Sequence, residues 1–298
     1  MLLAFSLDKP SGLSSHQALY KIKKKFKLKK IGHTGTLDPF ATGVLPVFVD
    51  EATKLIPYLD DSRKSYRAVL KLGSSTDTLD STGLVIHEEK VPQLSLGEIE
   101  ECLKWFVGYR KQMPPQYSAV KVKGKPLYRY AREGQEVQVE PRAIHIYSLK
   151  LLSYEDQKIT FDCEVSRGTY VRVLGEEIAK SLGTLGHLSD LRRTQSGVFC
   201  LNHSLALHSL LELNSLEHLE KEFDVRKLIT EIKTLHVDNE TSANILMKGQ
   251  AIKWDKGPLP EGEKVFIYHQ DKLCCVAEIM MDPSQTKILK PVRVFNIE

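Results

Sequence analysis

The stretch GHTGTLDPFATG, residues 32–43, sets one carboxylate, Asp38, and one imidazole, His33, in a loop of three glycines and three threonines. An apolar run, GVLPVFV, follows at once and reads as a buried strand. No G-K-[ST] follows the glycines and the Rossmann spacing is missing, so the loop is neither of the common phosphate cradles. Asp38 directly before Pro39 has the form of a helix N-cap with proline at the first helical position. As metal ligands His33 and Asp38 lack a third donor at a usual spacing.

Upstream of the loop lies KIKKKFKLKK, residues 21–30. Leu19, Ile22 and Phe26 fall on one helical face with lysines around them, and Ser14 or Ser15 is placed to cap the helix. Residues 1–30 carry eight lysines against Asp8 alone, although the whole 298-residue chain has a formal charge of only +4. Such a face is either simply solvated or binds phosphates, and charge alone leaves the two even. The apolar opening MLLAFSL ends at Asp8 and Lys9, too short for a signal-peptide core or a membrane span. Five cysteines, an odd number without a C-x-x-C pair, favour neither a disulfide framework nor a zinc site and suit a reducing cytoplasm.

Downstream, SYRAVLKLG (65–73) reads as a strand and EIEECLKWFV (98–107) as a helix with Ile99, Leu103 and Phe106 on one face. Residues 112–142 are polar, basic and aromatic, a long loop with limited helix at its centre. A loop of that length is uncommon unless it binds or covers something. RAIHIYSLKLLSY and KITFDCEVS read as paired strands. RGTYVRVLGEEIAKSLG reads as a strand end leading into a helix with Val171, Leu174, Ile178 and Leu182 as its apolar stripe. The pattern is helical from about 204 to 235 and strand-rich from about 236 to 298.

Two further constellations stand out. In SRGTYVR (166–172), Tyr170 and Arg172 are two apart and would share a strand face, where Arg172 can pair with a carboxylate and keep it ionised. In SYRAVLKLGSSTDTLDSTG (65–83), Tyr66 lies at the strand's start, and Asp77 and Asp80 read as turn-capping residues. The spacing does not fit an EF-hand loop.

Five segments occur in order: KPSGLSS (9–15), GHTGTLDPFATGVLP (32–46), YRAVLKLGSSTDTLDSTG (66–83), SRGTYVRVL (166–174) and LRRTQSG (191–197). Together they closely resemble the TruB family of tRNA pseudouridine synthases, which act on uridine 55 of the tRNA T loop. The resemblance covers roughly residues 5–200. It implies an α+β fold, with a mixed, largely antiparallel central sheet flanked by helices and a small C-terminal β-rich PUA-like domain. On that basis residues 1–235 are expected to form the catalytic domain, 112–142 an RNA-clamping insertion, and 236–298 the PUA-like RNA-binding domain.

The resemblance further implies that Asp38 is the catalytic residue and that His33, Tyr66, Tyr170, Arg172, Leu191 and Lys9 surround the substrate. Arg172 would be the partner of Asp38, and Lys9 mainly structural. Asp38 would act as a nucleophile at C1′ or as a base at C2′, and the sequence leaves both open. Lys21, Lys23 and Lys24 of the basic helix, with Lys121, Lys123 and Arg129 of the insertion, are expected to contact RNA. No cofactor, metal, membrane or guide RNA is implied, and a cytoplasmic monomer acting on the tRNA T stem-loop is expected. Two other readings remain: an RNA-folding protein whose catalysis is incidental, and a guide-dependent subunit inactive on free tRNA.

Overall fold

The computed structural model describes residues 1–135, 137–222, 228–229, 232–255 and 257–296. A mixed sheet forms the centre, ten-stranded among these residues. Its first strands are β1 (Leu2–Lys9), β2 (Ile31–His33), β3 (Thr42–Asp50) and β4 (Arg63–Leu72). The spatial order runs Ser204–Ala206, β1, β3, Gly186–Ser196, β4, Lys158–Ser166, Arg142–Glu155, Gly108–Gln112. Two neighbours pair in parallel, β1 with Ser204–Ala206 and β3 with the end of Gly186–Ser196. The other contacts along this order are antiparallel.

The unbroken apolar run of β3 follows from burial on both faces. Leu45, Val47 and Val49 join Leu3, Phe5 and Leu7 of β1 in the main core. The intervening Val44, Phe48 and Ala4 face the other way, into a second core shared with Phe266, Tyr268, Val276 and Phe295. A strand covered on both sides has no reason to alternate. By contrast, β4 does alternate: Lys64, Tyr66, Ala68, Leu70 and Leu72 are buried, while Arg63, Arg67 and Lys71 are exposed.

Helices pack on the face of the main core. Helix α1 (Ser15–Lys25) is capped by Ser14, whose hydroxyl accepts from the Gln17 amide in a capping box. It buries Ala18, Leu19 and Ile22 and ends at Phe26. Helix α2 (Leu96–Phe106) buries Ile99, Leu103 and Phe106. Residues 112–142 hold a small hairpin, Lys121–Val122 with Lys125–Pro126, and a short helix, α3 (Leu127–Arg132), anchored by the fully buried Leu127. Helix α4 (Val171–Ser181) follows the strand Lys158–Ser166.

The second sheet orders Lys233–His236, Lys264–His269, Lys272–Met281, Lys287–Val294, Ile252–Lys253, with the helix Glu240–Met247 against it. Lys54 Nζ reaches the Val294 carbonyl at 2.8 Å, and Glu51 accepts from the Asn296 amide at 2.7 Å, tying this sheet to the first.

Several expectations change. Residues 204–235 are not helical throughout: Ser204–Ala206 is a strand on the β1 edge, and Lys233–His236 belongs to the second sheet. Helices occupy Leu207–Glu212 and Glu217–Glu222, whereas 223–227 and 230–231 lie outside the described residues. Over three or four residues apolar spacing fits either period, and the unpaired β1 edge decides. Tyr170 and Arg172 do not share a strand face. The chain leaves the sheet at Ser166, turns through Gly168 at φ 87°, and enters α4 at Val171. Nor does Asp38 cap a helix: a turn closes from the Ala41 amide to the Asp38 carbonyl at 3.2 Å, and the carboxylate points elsewhere.

Candidate active site

The Asp38 loop is held from beneath by side chains of the first forty residues. Ser15 Oγ accepts from the Leu37 amide at 2.9 Å and donates to its carbonyl at 3.0 Å. Lys9, wholly buried, donates to the carbonyls of Pro10 at 2.8 Å, Leu13 at 2.7 Å and Pro39 at 3.4 Å. Burial pulls its pKa down to about 8, against the nearby Asp38 charge, which raises it. Lys9 thus fastens the KPSGLSS turn to the loop from behind and does not line the pocket.

That pocket, about 260 Å³, is lined by Asp38, Tyr66, Tyr170, Arg172 and Leu191 together with Lys64, Arg167 and Arg193. It lies at the small end of ligand sites, which run roughly 300–1,000 Å³. Ser118 and Ala119 of the 112–142 insertion close one side. Asp38 keeps 37% of its side chain exposed, and Arg172 only 4%. Arg172 Nε lies 2.9 Å from Asp38 Oδ2. This is an ion contact without hydrogen-bond alignment, since Nε makes no hydrogen bond.

The other arms of Arg172 are better aligned. Nη1 donates to the Thr78 carbonyl at 2.6 Å and Nη2 to the Tyr117 carbonyl at 2.9 Å. Nη1 also stands 3.5 Å from Asp80 Oδ2. One buried guanidinium therefore joins the Asp38 loop, the 77–83 turn and the insertion. Burial pushes the Asp38 carboxyl above the usual range, Arg172 draws it back, and the Asp80 charge raises it further. Asp80 is itself satisfied: Oδ1 accepts from Thr78 Oγ1, the Thr82 amide and Thr82 Oγ1 at 2.6–2.9 Å. The turn-capping reading of Asp80 is right but incomplete, because its second oxygen faces Arg172. Asp77 caps alone, accepting from the Leu84 amide at 2.8 Å.

Tyr66 is buried and its phenol pushed up by that burial, with Arg193 pulling it back. Tyr170 is fixed by its backbone. Gln112 accepts from the Tyr170 amide at 2.8 Å and donates to its carbonyl at 3.1 Å. His33 is absent from the pocket wall. It sits on β2 opposite Val47, with Nδ1 buried and unbonded, and burial and Arg193 lower its pKa. Lys21, Lys23 and Lys24 are exposed on α1, and Lys121, Lys123 and Arg129 on the insertion. No cluster of candidate metal ligands occurs among the described residues.

Sequence reasoning passed over Lys64 and Arg193. Each had a signal: Lys64 precedes Tyr66 by two on β4, and Arg193 follows Leu191 by two on the neighbouring strand. Period two puts both on the pocket face.

Comparison with known proteins puts the chain in one class, the pseudouridylate synthases. The model of the TruB family pseudouridylate synthase N-terminal domain matches residues 23–171, and that of the tRNA pseudouridylate synthase B C-terminal domain matches 172–235. The tRNA pseudouridine synthase B of Hydrogenovibrio crunogenus is 40% identical over 292 residues, spanning 98% of this chain and 93% of that protein. The one from Oceanobacillus iheyensis is 36% identical over 296 residues, spanning 98% and 97%. Among solved structures, an H/ACA RNP bound to a substrate RNA containing 2′-deoxyuridine matches 99% of this chain and 85% of its own, with TM-score 0.67 and 25% identity. A Cbf5–Nop10–Gar1 complex matches 99% and 84%, with TM-score 0.68 and 26% identity. The chain belongs to the TruB family.

Proposed function

We propose that this protein is an isomerase that converts uridine to pseudouridine in tRNA, at position 55 of the T loop, with Asp38 as its catalytic residue. The observation that carries the assignment is the Asp38 carboxylate: half-exposed in a pocket walled by two tyrosines and a leucine, and ion-paired to a buried arginine.

The reaction breaks the N1–C1′ bond, turns the uracil, joins C5 to C1′, and moves the C5 proton off as N1 gains one. The base must first leave its stack, at a cost of a few kcal/mol. Tyr66, Tyr170 and Leu191 receive it and keep the freed uracil in place. Asp38 works on the sugar, by attack at C1′ or proton removal at C2′. Either route needs the carboxylate ionised, and Arg172 favours that form where burial opposes it. The Tyr66 hydroxyl faces the base and can relay the proton from C5. Lys9 and His33 hold the loop's rear side.

The lysines of α1 and of the insertion grip RNA phosphates from two sides, and the second sheet extends the contact towards the acceptor side of the tRNA. The protein works as a monomer in the cytoplasm without a guide RNA, cofactor or metal. Among the described residues no helix is long and apolar enough to cross a membrane. The guide-dependent reading has one observation in its favour, the likeness to an H/ACA RNP bound to a substrate RNA and to a Cbf5–Nop10–Gar1 complex. Against it stands the higher identity, 36–40% over nearly the whole chain, to proteins named tRNA pseudouridine synthase B.

The test is tritium release from C5 of the target uridine in a free T-arm hairpin. Wild type is expected to release it, and Asp38→Asn to bind the hairpin within a few-fold yet release none. Release by Asp38→Asn at the wild-type rate would remove Asp38 from the chemistry. No release by wild type would favour the guide-dependent reading.

A further inference from the structure

Arg193 heads the wholly buried side chains by size. Nε donates to the Val44 carbonyl at 2.6 Å and Nη2 to the Gly35 carbonyl at 2.7 Å, while Nη1 is buried without a hydrogen bond. Among the described residues no carboxylate is ion-paired with it. Beside it stands Lys64, with 9% of its side chain exposed and its nearest counter-charge, Asp61, at 3.9 Å. Asp61 is already engaged by Arg167 at 3.0 Å. Burial and the charge of Arg193 lower the Lys64 pKa to about 8, so at neutral pH the ammonium persists under strain from both.

The two cations converge on one glycine. A Cβ on Gly35, which has φ 62°, would lie 2.9 Å from Lys64 Nζ and 3.1 Å from Arg193 Nη1. All of these residues line the pocket that holds Asp38. Arg172 is matched there by Asp38 and Asp80, but among the described residues Lys64, Arg167 and Arg193 have only Asp61 between them. Buried guanidinium and ammonium groups are costly unless paired, and an unsatisfied buried donor calls for an account. A phosphodiester supplies what this cluster lacks: a negative charge and several acceptor oxygens.

We propose that Lys64 and Arg193, converging over Gly35, bind one of the two phosphodiester groups that flank the target uridine, and so fix the flipped nucleotide's backbone while Asp38 acts on its sugar. The inference rests on the function proposed above. It makes the two residues positioning groups: binding energy from a part of the substrate that does not react holds the reacting atoms in place. The close approach also explains why the loop has glycine at 35, since any side chain would sit where the two cations meet.

The experiment uses the full-length protein and three T-arm hairpins: unmodified, and with a neutral methylphosphonate at the phosphate on the 5′ or on the 3′ side of the target uridine. The proteins are wild type, Lys64→Gln, and Arg67→Gln as a control on the opposite face of β4, where Arg67 pairs with Asp162. On unmodified RNA, Lys64→Gln is expected to lose about ten- to a hundredfold in kcat/KM, as for loss of a charge-assisted hydrogen bond. Its binding should show a salt slope smaller by about one. One of the two methylphosphonates should cost wild type a similar factor and cost Lys64→Gln little more, whereas Arg67→Gln should behave as wild type throughout. Thermal unfolding of Lys64→Gln is expected at or above the wild-type temperature, because a strained buried charge has gone. Losses that multiply when variant and methylphosphonate are combined would overturn the proposal. So would wild type tolerating both methylphosphonates, an outcome that needs no variant to fold. Failure of wild type on unmodified RNA would instead overturn the function itself.

Discussion

Replacing Arg172 by methionine removes the cation that faces Asp38 and leaves two carboxylates, Asp38 and Asp80, without it. It also strips the Thr78 and Tyr117 carbonyls of their donors. Breaking a buried ion pair by deleting one partner costs about 3–5 kcal/mol. Asp38 is 37% exposed, so water screens part of this and the lower end, about 3 kcal/mol, applies. At 1.36 kcal/mol per decade, that is on the order of a hundredfold in kcat near neutral pH if the energy falls on the ionised state. The sign follows from the surroundings. Burial and Asp80 raise the Asp38 pKa and Arg172 lowers it, so the variant's carboxyl titrates at higher pH than the wild type's. The acid limb of the rate profile should therefore move up, with part of the lost rate recovered in alkaline buffer. Arg172→Lys should return part of that limb, since the charge comes back, but less of the rate, since one ammonium cannot span three elements. The assay is single-turnover tritium release from the T-arm hairpin between pH 5 and 9, on protein shown to be folded by circular dichroism. A folded Arg172→Met enzyme with an unmoved acid limb and a rate within twofold of wild type would refute the reasoning.

Two further predictions concern the frame around the site. At Gly43, with φ 99°, a Cβ would lie 2.2 Å from the Arg193 carbonyl oxygen, where β3 and Gly186–Ser196 pair in parallel. Gly43→Ala is thus expected to cost about 2–4 kcal/mol from backbone strain and overpacking together, read as a lower urea midpoint at unchanged m-value; an unchanged midpoint would show that the strands can part freely. Lys9 has a folded pKa of about 8 against the ordinary lysine value of 10.5, so between these values the unfolded chain holds more protons than the folded one. Its contribution therefore makes the protein more stable as pH rises through that window, and Lys9→Met should flatten the rise. Urea midpoints at pH 7.5 and 9.5 for both proteins check this, and equal pH slopes would contradict it.

The sequence carried the site's chemistry more plainly than its architecture. Asp38, Tyr66, Tyr170, Arg172 and Leu191 come from four separate segments, and the fold brings them to one pocket. They were picked out by the five ordered segments that resemble the TruB family; read singly, Asp38 also fitted a helix cap and Tyr170 a strand face. Lys64 and Arg193 were hidden by ordinariness, for basic residues in a basic chain look like surface. Only the strand period, together with the pairing of β4 with Gly186–Ser196, shows them facing inward. That pairing was itself illegible, because GHLSDLRRTQS spends its inward positions on pocket residues and so lacks the apolar alternation of a strand. The resemblance put His33 beside the substrate, yet β2 pairing with β3 keeps it on the sheet and outside the residues that line the pocket. Arg172 was legible as a partner for a carboxylate, but its hold on the Tyr117 carbonyl depends on how the insertion folds, which a loop of mixed composition does not announce.

The apolar residues of β1 and β3 that face away from the helices set a limit on dissection. Val44 and Phe48 come from β3, the strand that follows the Asp38 loop, and Ala4 from β1 paired beside it; Phe266, Tyr268, Val276 and Phe295 are their cover. Cutting the chain near residue 235 would wet that face and loosen the strands on which Asp38 is mounted. A truncated enzyme that binds RNA poorly would then report a softened scaffold as much as a missing RNA contact. Charge substitutions on the outer surface of the second sheet, with Phe266 and Phe295 left in place, separate the two contributions where deletion merges them.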